Sequence, residues 1–191
     1  MRGMWILALG ATAMLTSCAD DDSCICPEYK PTAGLATLSS KIDEVEGQLI
    51  SRGFSFAEGQ VIEVPNAENQ IPDMITMMFY GSQGDFLGLG LVNPTPFAAF
   101  DRIANPSTSD SARIIYEDLI EAPEGDYTDM IAARPNDIFV VKTLSNTFAK
   151  LLILQTAFTS DTTYEGSVAH IHDEGRISFE WIHQPNGSRA F

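Results

Sequence analysis

Basic residues are scarce in this chain of 191 residues: 11 Lys and Arg stand against 26 Asp and Glu, a formal net charge of −15. Nucleic-acid binding rests on Lys and Arg releasing counterions from phosphate, and docking on anionic lipid needs the same side chains, so the balance argues against both partners. Cysteine is limited to three residues, Cys18, Cys24 and Cys26. One residue between Cys24 and Cys26 is a poor zinc spacing, no further pair completes it, and a bridge between residues two apart is strained. No Gly-x-Ser-x-Gly, phosphate-binding Gly loop or metalloprotease helix motif is present, and no Cys stands near a His. Carboxylate pairs such as Asp126/Asp129 and Asp173/Glu174 fall in turn-like stretches where acids are expected anyway. The expectation is a protein that is not an enzyme and has no metal centre. Repeats of 20–50 residues are also lacking. What is there is an ordinary globular content of 45% apolar residues, enough for one or at most two domains.

The N-terminus reads as an export and anchoring signal. Arg2 supplies a short positive region, and Met4 to Leu15 form an apolar stretch broken by Gly10 and Thr12. That run is too short for a bilayer, which takes about 20 residues, and fits a secretory signal. It ends in Leu15-Thr16-Ser17-Cys18, which resembles a bacterial lipobox. Cleavage before Cys18 and its acylation would anchor the chain in a membrane. Ala19-Asp20-Asp21-Asp22 follows, and this acidic run resembles the surface-export signal of Bacteroidota lipoproteins; it also reads as a solvated tether. The expected organisation is a lipoprotein signal peptide over 1–17, an acidic, Pro-containing tether over 18–36 and a single β-rich domain over 37–191. The expected location is the bacterial outer membrane, with its inner and outer faces both open.

Two segments carry helical periodicity. Leu38, Ile42, Val45 and Leu49 recur at spacings of four, three and four, with Ser39 or Ser40 as cap and Gly53 as stop. Ala112, Ile115, Leu119 and Ile120 share a face after Pro106-Ser107-Thr108-Ser109, and Pro123 with Gly125 ends that segment. Short apolar or alternating runs predict strands at Phe54–Phe56, Gln60–Val64, Met74–Tyr80, Ile138–Thr143, Phe148–Thr156, Ser167–His172 and Ile177–His183. Ser145-Asn146 and Pro185-Asn186-Gly187 are predicted turns, and Asp173-Glu174-Gly175 a third. Gly81–Gly90 and Asn93–Ser111 read as loops. The predicted fold class is mainly β, in antiparallel sandwich-like sheets with one or two short helices; α+β is the alternative.

Histidine and methionine are the chemical candidates. His170 and His172 lie on one side of a strand because the side-chain period is two. With the turn at 173–175, His172 faces Arg176, His170 faces Ser178, and His183 lies opposite Glu165. His183 then stands about 16 Å from His170 along the strand, at about 3.3 Å per residue. Parity puts His183 with Ile177, Phe179 and Trp181 on an apolar face, and His170 and His172 with Arg176, Ser178 and Glu180 on a polar one. A three-His metal centre is therefore not expected. Met74, Met77 and Met78 share one strand candidate and read either as core fillers or as axial haem ligands facing an apolar cleft.

The stretches Asp137–Thr143, Phe148–Ile153, Gly175–Trp181 and Gln184–Phe191 resemble the C-terminal half of HmuY-like lipoproteins of Bacteroidota, and Phe54–Gly59 with Asp73–Met77 resembles their opening strands. The resemblance covers about half of the chain after the lipobox, in patches, and has no counterpart between Leu91 and Pro135. It implies a secreted, lipid-anchored, mostly β protein, in a family of which some members capture haem. It does not place the family's paired haem ligands on positions of this sequence. The function expected is that of a non-catalytic, lipid-anchored binding protein holding haem or a small apolar ligand. His183 or a Met of the Met74–Met78 strand (Met74, Met77) would lead as ligand-binding residues, with His170 and His172 behind, and Phe179, Trp181 and Phe148 as walls. The alternative is an interaction lipoprotein accessory to an outer-membrane protein complex, with no small ligand; a hydrolase is a third.

Overall fold

The structure, a computed structural model, describes residues 30–95 and 97–191. The expected signal peptide, Cys18, Cys24, Cys26 and the tether up to residue 29 lie outside the described residues. In chain order the elements are β1 (Ala33–Ser39), β2 (Asp43–Val45), β3 (Gln48–Ser55), β4 (Gln60–Val64), β5 (Met74–Tyr80), β6 (Phe86–Val92), β7 (Phe100–Ala104), α1 (Ser109–Asp118), β8 (Met130–Ala133), β9 (Ile138–Lys142), β10 (Phe148–Glu165) and β11 (Val168–Gln184). One antiparallel sheet runs β1-β11-β10-β9-β7; the other runs β2-β3-β5-β6-β8, with β4 pairing β3. The mainly β, sandwich-like class read from the sequence is the architecture observed.

The strand sequences explain the layering. β9 is buried at Ile138, Phe139, Val140 and Val141 because both its faces are covered. Phe139 and Val141 join Ala149, Leu151, Ile153, Ile177, Phe179 and Trp181 against Phe54, Phe56, Met74, Leu89 and Leu91 of the second sheet. Ile138 and Leu152 point the other way, onto Ala112 and Tyr116 of α1. The inter-sheet core centres on edge-to-face rings. Phe54 lies 5.1 Å from Phe56, 5.3 Å from Phe179 and 5.1 Å from Trp181, and such pairs add about 0.5–1.5 kcal/mol each beyond burial.

A helix forms after Thr108, but it ends at Asp118, short of the expected stop at Pro123: Leu119 is its C-cap, Ile120 lies outside it and is exposed, and Tyr116 with Ala112 makes its buried face. Thr108 caps it by accepting from Ser111 N at 3.2 Å. The helix expected over Leu38 to Leu49 does not form. Leu38 is core on β1, while Ile42, Val45 and Leu49 are exposed around the β2–β3 hairpin. Its turn, Glu46-Gly47, has positive φ at both residues (53° and 78°), the twist that suits a two-residue hairpin. β1 begins at Ala33, so the last four residues assigned to the tether belong to the sheet. The segments read as loops contain β6 and β7.

The turn expected at Asp173-Glu174-Gly175 is also absent. β11 is continuous from Val168 to Gln184, and the chain reverses at Gly166-Ser167, with Gly166 at φ 64°. Gly175 serves close packing instead: a Cβ there would sit 2.3 Å from Leu89 Cδ2. β9 stops pairing with β10 at Leu152, and β1 stops pairing with β11 at Arg176. Beyond those points β10 and β11 project as a two-stranded ribbon, exposed at every residue from Thr159 to His172.

Candidate functional site

His183 occupies the end of β11 away from the ribbon and lines a cleft of about 360 Å³. The walls come from Pro31 and Thr32 ahead of β1, Phe56 and Ala57 after β3, and Asp73 ahead of β5. Thr143 and Thr147, either side of the predicted Ser145-Asn146 turn, complete them. That turn forms as read, with Asn146 at φ 59° and Thr143 N donating to Thr147 O at 2.9 Å. It also brings the two threonines together, their hydroxyl oxygens 2.7 Å apart.

The imidazole of His183 is 7% exposed. Burial lowers its pKa and a hydrogen bond to the Phe56 backbone opposes that shift, so the ring is neutral at pH 7. A neutral ring that donates to the Phe56 carbonyl keeps its other nitrogen as an acceptor. Nε2 lies 2.7 Å from Thr147 Oγ1, which is itself 2.7 Å from Thr143 Oγ1, so this ring nitrogen is hydrogen-bonded within the cluster. The lone pair that would meet an iron or another metal is thus already engaged.

Asp73 closes the cleft floor. Its Oδ2 accepts from Phe56 N at 2.8 Å and its Oδ1 from Leu144 N at 3.1 Å. One carboxylate therefore ties the end of β3 to the β9–β10 turn, that is, one sheet to the other. Desolvation raises its pKa, partly offset by these two N–H donors. Sequence reading missed Asp73, since an acid beside Pro72 reads as a loop. The two threonines were discoverable as residues flanking a hairpin turn.

The remaining candidates do not join His183. Register pairs His170 with Thr163 and His172 with Asp161 on the ribbon, and His183 with Ala149, in place of the register expected from a turn at 173–175. Thirteen residues of continuous strand separate His170 from His183, roughly 43 Å at about 3.3 Å each. His170 Nε2 stands 3.8 Å from Glu165, and His172 Nε2 lies 3.0 Å from Thr163 Oγ1. Among the described residues no group of three His, Cys, Asp or Glu is placed to hold a metal ion. Met74 is fully buried in the inter-sheet core, Met78 packs at its margin, and Met77 is 37% exposed. The residues present do not fit haem: among the described residues no Met or second His lines the cleft of His183, and Phe148 lines a different cavity.

Comparison with protein-family models, curated proteins and solved structures gave no match.

A second buried polar cluster fixes the helix. Lys150 Nζ, on the β10 face opposite the core, donates to Tyr116 O and Leu119 O, both at 2.8 Å, and lies 4.7 Å from the Tyr116 ring. A cation on the last carbonyls complements the helix dipole. Asp137 is fully buried and accepts from Arg134 N at 2.8 Å and Asn105 Nδ2 at 2.7 Å, with Arg102 Nε at 3.2 Å.

Proposed function

We propose that this protein is a lipid-anchored, non-catalytic binding protein of the bacterial outer membrane that holds a small, largely apolar, uncharged ligand in the His183 cleft. The observation supporting this is the composition of the cleft: Phe56, Pro31, Ala57 and Pro185 for apolar contact, and the remaining lone pairs of the Thr143 and Thr147 hydroxyls to accept one hydrogen bond from the ligand. The cleft also opens beside Lys30-Pro31-Thr32, the first described residues. The neutral ring, an Asp73 already satisfied by two backbone donors and a Lys30 ion-paired with Glu58 at 2.8 Å favour an uncharged ligand. Haem is the weaker reading of the same resemblance, because Nε2 is taken.

The test is titration with phenol, followed by amide chemical shifts. Saturable shifts at Phe56, Thr147 and His183, abolished by Ala57→Trp, support the reading. Their absence, or their persistence in that variant, contradicts it.

The ribbon favours a second reading, an accessory of an outer-membrane protein complex. Tyr164, Val168 and Ile171 are 74%, 57% and 68% exposed on it, and its strand edges are open to pairing. Crosslinking from residue 164 in intact membranes to one recurrent outer-membrane protein supports this; crosslinks to none refute it.

A further inference from the structure

A cavity of about 260 Å³ lies where β10 leaves β9, away from the His183 cleft. Phe79, Phe86, Leu87, Leu89 and Phe158 line it. The Phe86 and Phe158 rings are stacked 3.9 Å apart at 9°. Two irregularities shape the opening: register slips between Ile153 and Gln155 in β10, and Leu87 is the extra residue opposite Phe79 and Tyr80. Bulges of this kind re-aim side chains beside binding sites.

One charged side chain borders this cavity, that of Arg134, and Thr156 also lines it, so its wall is part aromatic and part polar. Among the described residues every other Lys and Arg has a carboxylate, carbonyl or ring partner. Arg134 alone has none for its guanidinium, in a chain with more than twice as many acids as bases. Its backbone is fixed nonetheless: Arg134 N donates to Asp137 Oδ2 at 2.8 Å, and Asp137 N donates to Arg134 O at 3.1 Å. An unpaired guanidinium carried on a fixed backbone beside an aromatic-walled cavity complements a carboxylate on an aromatic body.

We infer that this cavity binds a monocarboxylic acid with an aromatic body, its ring among Phe79, Phe86 and Phe158 and its carboxylate on Arg134. At about 30 Å³ per water-sized atom, the volume holds roughly nine atoms, the size of a phenyl ring with a short chain. The site is separate from the His183 cleft and does not depend on the function proposed for it.

The probe is 3-phenylpropionate, with 3-phenylpropanol as its uncharged counterpart, titrated calorimetrically into the full chain in neutral micelles. The acid binds saturably and the alcohol about tenfold more weakly, the effect of one charge-assisted pair. Arg134→Gln brings the acid down to the level of the alcohol and leaves the alcohol unchanged. Leu87→Trp, at an exposed position of the mouth, removes both, whereas Ala57→Trp in the other cleft changes neither. Equal affinity for acid and alcohol, undiminished acid binding in Arg134→Gln, or no saturable binding of the acid overturns the assignment.

Discussion

At the residue scale, the buried histidine and the buried lysine give separate predictions. His183 has its folded pKa below the ordinary value of 6.5 because burial penalises the imidazolium. As pH falls below 6.5 the unfolded chain takes up the proton first, so stability present at pH 7 is lost on acidification toward the folded pKa. Urea unfolding between pH 7.5 and 5.5 shows a falling midpoint, and His183→Gln flattens that fall. An equal slope in the variant contradicts the assignment. Asp73 has the reverse sign: its folded pKa is raised above 3.8, so its contribution grows as pH falls through the folded value. Comparing wild type with His183→Gln isolates the histidine from it. Lys150 holds the end of α1 through two carbonyls, and hydrogen bonds to charged groups contribute about 1.5–3 kcal/mol each. Lys150→Met therefore lowers stability by about 2 kcal/mol, read from the denaturant midpoint; a change under about 0.5 kcal/mol contradicts that role.

At the element scale, the ribbon and the folded sandwich separate cleanly. Residues 159–172 are exposed throughout, so replacing them by a two-residue turn removes little buried area and shifts Tm by only about 2–4 °C. A collapse of the near-ultraviolet signal in that deletion shows instead that the ribbon supports the core. The element level is also where the sequence was most and least legible. Strands β4, β5, β9 and the inner parts of β10 and β11 show their period or their apolar run directly, and α1 shows both its cap and its stripe. The β1–β3 region imitated a helix because Leu38, Ile42, Val45 and Leu49 keep helical spacing, whereas the Glu46-Gly47 turn decides the outcome locally. Gly175 imitated a turn because its purpose is tertiary: Leu89 of the other sheet fills the space of its missing side chain. The site was half legible. His183 was placed on the core face by parity alone. Asp73, Thr143 and Thr147 meet it only through the packing of one sheet on the other, which period and composition do not encode.

At the scale of the whole molecule, β11 sets an axis. It runs from the ribbon tip at Val168 to the cleft beside Gln184, about 50 Å at about 3.3 Å per residue. Lys30, Pro31 and Thr32, the first described residues, stand at the cleft end. The Arg134 cavity lies between these two ends, where β10 leaves β9. Cys18→Ser is expected to move the protein from the membrane fraction to the soluble fraction of an osmotic-shock extract; retention in the membrane contradicts lipidation at that residue. Haem added to the wild-type protein is expected to give no saturable Soret shift, since the His183 lone pair is held by Thr147. A saturable shift that His183→Ala abolishes contradicts this and restores haem as the ligand.

The central claim is that the His183 cleft captures a small uncharged ligand. Phenol titration of the full chain, watched at the amides of Phe56, Thr147 and His183 with Ala57→Trp alongside, tests it most directly. Shifts that saturate in the wild type and vanish in the variant are expected. Shifts that fail to saturate, or that survive the filled cleft, contradict it.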